Sequence, residues 1–78
     1  MKKRYTEKWW IAERIDDMTY QLAHKGAHEI EKCGKIYLSC IGFEVSLRPC
    51  MILNEWDFSR ISKILHEMNI DIDREKGW

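Results

Sequence analysis

The sequence has one proline, four glycines and no Pro-, Gly- or Ser-rich stretch, so nothing in it reads as a linker between folding units. No apolar run approaches the roughly 20 residues that span a bilayer. Met1-Lys2-Lys3-Arg4 has the charge of a signal-peptide n-region, but Glu7, Lys8, Glu13 and Arg14 interrupt any hydrophobic segment behind it. The three cysteines, Cys33, Cys40 and Cys50, make no Cys-x-x-Cys pair, which counts against a disulfide framework and against a zinc site. His24 and His28 add suitable ligand types, yet without a close-spaced pair neither a metal nor a cofactor is expected. A surplus of one charge is missing too, because 13 basic and 13 acidic residues cancel. Only residues 1–8 are locally basic, with Lys2, Lys3, Arg4 and Lys8 against Glu7. No stripe of the kind that displaces counterions from phosphates follows them, so nucleic-acid binding is not expected. No membrane partner is expected either, and the chain reads as cytoplasmic.

What is present is a chain of 78 residues, 45% hydrophobic and 33% charged, too apolar for disorder and too charged for a membrane protein. At 9.4 kDa, area scaling gives roughly 5,000 Å² of folded surface. That suits one modest core in a single compact domain over residues 1–78.

The local pattern predicts an α+β fold ordered helix, three-stranded antiparallel meander, helix. Ile11, Ile15, Met18 and Leu22 recur at spacings of four, three and four, a core-facing stripe for a helix over residues 6–25. Thr6 is a suitable N-cap and Gly26 a suitable C-terminal cap. A hairpin should follow, with a three-residue loop Lys32-Cys33-Gly34 that pairs Ile30 with Ile36 and His28 with Leu38. Phe43, Val45 and Leu47 alternate in a third strand, with Leu38 set against Val45 and Ile36 against Leu47. A last helix begins at Asn54 or Asp57 and runs to about Asn69, with Phe58, Ile61, Ile64, Leu65 and Met68 as its apolar stripe. Residues 49–54 and 70–78 show no clear pattern. Both helices should lie on one face of the sheet, leaving the other wet.

Aromatic residues are the surplus that points to function. On a helix, Tyr5, Trp9, Asp16 and Tyr20 would share a stripe opposite the aliphatic one, and a domain with one core cannot bury both sides. Tyr and Trp beside carboxylates are favoured interface anchors. Tyr5, Trp9, Glu13, Asp16 and Tyr20 are therefore the expected partner-binding residues. The expected function is a non-enzymatic module that binds another protein, or a second copy as a homodimer. It would act by surface occlusion as an inhibitor or adaptor, in the manner of phage or mobile-element accessory proteins. No catalytic residue is assigned on this reading.

Lys25-Gly26-Ala27-His28, the hairpin after it and the late helix Ser59-Arg60-Ile61-Ser62-Lys63-Ile64-Leu65 resemble the HicA-type toxins of toxin–antitoxin modules. The resemblance implies a helix–three strands–helix fold and cleavage of mRNA, with His28 as the catalytic residue. The family's Gly-Ser-His motif has Ala27 in place of its serine, and the segment from Gly42 to Trp56 has no counterpart.

Overall fold

The computed structural model describes residues 1–26 and 29–76. Five strands, β1 (Arg4–Glu7), β2 (Trp10–Asp16), β3 (Thr19–Lys25), β4 (Ile30–Ser39) and β5 (Gly42–Leu47), form one antiparallel sheet in chain order. Among the described residues a single helix, α1 (Glu55–Lys76), follows and lies on one face.

This corrects the expected helix–three strands–helix order, and with it the fold implied by the HicA resemblance. The stretch 6–25 folds as strand, turn, strand, turn, strand rather than as a helix. Its composition explains why: Thr6, Trp9, Trp10, Ile11, Ile15, Thr19 and Tyr20 are β-branched or aromatic, and such side chains fit a pleated surface better than a helix. Two-residue turns at Lys8-Trp9 and Asp17-Met18 join the strands. Lys8 takes φ 57°, and the Asp16 carboxylate accepts the Met18 N–H at 2.9 Å. The alternation that matters has period two. Trp10 and Ala12, then Tyr20 and Leu22, point to the helix, while Ile15 and Met18 of the supposed stripe are more than half exposed.

No turn interrupts the next segment, so the expected Lys32–Gly34 loop is also corrected. β4 runs straight through Cys33-Gly34 and carries a bulge there: Leu22 pairs with Gly34 but Ala23 with Lys32, leaving one extra residue. Gly34 is required because a Cβ at this position would overlap the Ser46 carbonyl oxygen and press on the Leu47 Cα at 3.0 Å. The β4–β5 turn is the tight pair Cys40-Ile41, closed by Gly42 at φ 125°. Ile36 therefore pairs with Val45 and Leu38 with Phe43, two residues from the expected register. A shift of two leaves every side chain on its own face.

Asn54 caps the helix. Its side-chain oxygen accepts the Asp57 N–H at 2.8 Å, while the Asp57 carboxylate accepts the Asn54 N–H at 3.3 Å, a reciprocal capping box. α1 outlasts the expected end near Asn69 because its later residues have partners on the sheet. The Tyr5 hydroxyl donates to Asp71 at 2.5 Å, and Ile72 lies against the core. Nearer the start, Trp10 donates its indole N–H to Asp57 at 3.2 Å and Arg60 pairs with Glu7 at 2.9 Å. On the far edge of the sheet, Asn69 accepts the Phe43 N–H at 2.8 Å. Contacts at both edges fix the helix across one face. Ile61, Ile64 and Met68 fill the space between with Tyr5, Trp10, Tyr20, Leu22, Cys33 and Ile36. No described helix is long and apolar enough to cross a membrane.

The accessible surface is 5620 Å², above the roughly 5,000 Å² that scaling gives for this mass. A two-layer molecule with one uncovered sheet face, 39 × 21 × 21 Å in extent, accounts for the excess.

Candidate protein-binding surface

Strand register decides which side chains stand on the uncovered face. Tyr5, Ala12 and Leu22 align across β1–β3 on the helix side, so Arg4, Glu13, Gln21, Lys35 and Ser46 align on the other. A second row holds Thr6, Ile11, Ala23 and Lys32, and beside it Lys25 faces Ile30. A third brings Asp16, Thr19, Tyr37 and Glu44 together.

The bulge creates the most distinctive feature of this face. Unbroken alternation would put Ile30 on the same side as Ile36 and Leu38, as the sequence suggests. One extra residue at Cys33-Gly34 reverses the alternation upstream, so Ile36 is fully buried while Ile30 is 60% exposed. Ile30 thereby joins Ile11 and Ala23 in a shallow depression of about 200 Å³, rimmed by Arg4, Glu13, Gln21 and Lys32. Arg4 grips Glu13 in a fork, Nε at 3.0 Å and Nη2 at 2.5 Å from one carboxylate oxygen. The depression thus has an aliphatic floor and a charged rim.

The five expected anchors are not brought together. Tyr5 and Tyr20 are each 1% exposed and meet edge to face at 5.7 Å in the core. This corrects their placement on an outward stripe: in strands they face the helix, and their hydroxyls bind Asp71 and the Lys2 carbonyl. Burial pushes both phenols above their ordinary value, and for Tyr5 the bond to Asp71 adds to the effect. Trp9 is 57% exposed at the β1–β2 turn, with His24, Lys25 and Gly26 beside it. Asp16 is exposed and serves its turn, where the Met18 N–H and then the Thr19 hydroxyl hold its carboxyl below the ordinary value. Glu13 stands on the uncovered face beside the depression, and Asp16, opposite Thr19, lies at the far end of that face. His28, the residue the HicA resemblance singles out, lies outside the described residues.

The other polar candidates are dispersed. Cys33 is buried on the helix side, where burial pushes its thiol up and its Sγ donates to the Glu31 carbonyl at 3.3 Å. Cys40 and Cys50 are exposed at opposite ends of β5. Among the described residues, no three His, Cys, Asp or Glu side chains are grouped to hold a metal ion. The sequence pattern places Ile11, Ile30 and Lys32 in a helix stripe, a core face and a loop. The isolated Gly34 inside an apolar alternation was the one signal that could have placed them, since such a glycine marks a bulge as readily as a turn.

No protein-family model matches the chain, and neither the curated proteins nor the solved structures give a match.

Proposed function

We propose that this chain is a protein-binding module whose contact surface is the uncovered face of its sheet. It works as an inhibitor or adaptor by covering part of a partner. One observation carries the reading: Ile30 stands 60% exposed beside Ile11 and Ala23 on a face that no described element covers. Aliphatic side chains ringed by polar and charged ones have the make-up of an interface centre and rim. Trp9 stands at the turn end of the same sheet, next to Lys25, whose N–H binds the Trp9 carbonyl at 2.7 Å. It extends the contact with an aromatic ring, the residue type most often found to dominate binding.

Site-specific photo-crosslinking in cells tests the proposal. A photoreactive residue at Gln21, in the middle of the face, should form a protein adduct that disappears when Ile30→Glu is added. The same residue at Ser62, on the outer side of the helix, should form none. An adduct at Ser62 and not at Gln21 would transfer the contact to the helix and end this proposal.

A further inference from the structure

Resting on that reading, we infer that the occupant of the uncovered face is an acidic protein segment with an aliphatic anchor. The charges left on the face define it. Arg4 is held by Glu13, while Lys25, Lys32 and Lys35 make no ion pair among the described residues. All three stand exposed on the two neighbouring strands β3 and β4, around the depression that Ile30 and Ala23 line. Along β4, Lys32 lies two residues from Ile30, and Lys35 lies three further on across the bulge, opposite Gln21 where Lys32 is opposite Ala23, so each step is about 7 Å at ~3.3 Å per paired residue. A segment laid along β4 would set an aliphatic side chain on Ile30 and carboxylates beyond it, against Lys32 and Lys35. Of the three carboxylates on the face, Glu13 is taken by Arg4, while Asp16, bonded within its own turn, and Glu44 share the row of Thr19 and Tyr37, at the end of the face away from Ile30.

The same features disfavour two other occupants. Four strand gaps of about 4.8 Å and some 20 Å of strand length give a face of roughly 400 Å². Two copies face to face would bury about 800 Å² together, short of the ~1,000 Å² expected of a stable interface, with lysines opposed to lysines. A single-stranded nucleic acid would need rings for stacking. The face offers two rings far apart, Tyr37, whose register partner is the Glu44 carboxylate, and Trp9 at the β1–β2 turn, and the centre between them is aliphatic. A short acidic segment matches both the area and the charge.

The test selects dodecapeptides from a random displayed library against the full chain and measures the winners as synthetic peptides. The inference expects Asp and Glu flanking Leu, Ile or Val, and shifts of the Ile11 and Ile30 methyl resonances on binding. Affinity should fall about tenfold in Lys32→Glu/Lys35→Glu, with the fold intact by circular dichroism. Winners that are neutral or basic yet still shift Ile11 and Ile30 would overturn the acidic occupant and leave the binding face standing. Recovery of no binder, or of binders that shift only helix resonances, would overturn both. Tighter binding of a random RNA pool than of any peptide, lost in the same double variant, would replace the inference with nucleic-acid recognition.

Discussion

Replacing Tyr5 by phenylalanine removes one oxygen from the join between the sheet and the far half of the helix. That oxygen donates to Asp71 at 2.5 Å and accepts the Lys2 N–H at 3.1 Å. A hydrogen bond to a charged group contributes about 1.5–3 kcal/mol, and Asp71, being part-exposed, can recover some hydration when the bond is lost. The expected cost is therefore near the lower end, about 1.5 kcal/mol, read from urea unfolding. The variant also makes a claim about pH. The folded-state pKa of Tyr5 is raised, chiefly by burial, so above the ordinary value of 10.0 the unfolded chain ionises while the folded chain keeps its proton. Stability should fall as pH rises through that window, by about 1 kcal/mol from this group at pH 11. Tyr20 is raised for the same reason and acts in the same direction. Tyr5→Phe should flatten the alkaline limb between pH 10 and 11 relative to the wild type. An unchanged limb, with an unfolding midpoint equal to the wild type at pH 7, would refute the placement of Tyr5 against the helix.

Further expectations follow from the two faces of β4. Ile36→Ala should cost about 3 kcal/mol in urea unfolding, since the side chain is fully buried, whereas Ile30→Lys should change stability by less than about 0.5 kcal/mol. Equal costs would mean that both residues share one environment. Gly34→Ala should destabilise by about 2 kcal/mol or more, because the added carbon meets backbone rather than a movable side chain; a neutral outcome in thermal melts would rule out the close approach of β4 to β5. Cys40 and Cys50 should react with a thiol reagent in the native protein while Cys33 waits for unfolding. Rapid loss of all three thiols would place Cys33 outside the core.

The legible parts of the fold were those where one pattern excluded the others. Phe43, Val45 and Leu47 alternate over a span too short for a helix, and they share the face with Ile36 and Leu38 that the sequence implies. The capped start of the last helix was legible because Asn54 lies three residues before Asp57, although its extension past Asn69 depends on Tyr5, distant in sequence. The first 25 residues were ambiguous. Two strands joined by a two-residue turn can repeat aliphatic residues at spacings of three and four just as a helix does. Only the β-branched and aromatic content of that stretch, and the Asp17-Met18 turn that Asp16 holds, favoured strands. The binding face was the least legible part. Its key residue, Ile30, is turned outward by a bulge, and a single extra residue leaves no trace in hydrophobic periodicity beyond Gly34 itself.

The central claim is that the Cys33-Gly34 bulge sends Ile30 and Ile36 to opposite sides of one strand. Attenuation of isoleucine methyl signals by a soluble paramagnetic agent reads this directly. Strong attenuation at Ile30, with Ile36, Ile61 and Ile64 protected, is the predicted result. Protection of Ile30 equal to that of Ile36 would contradict it.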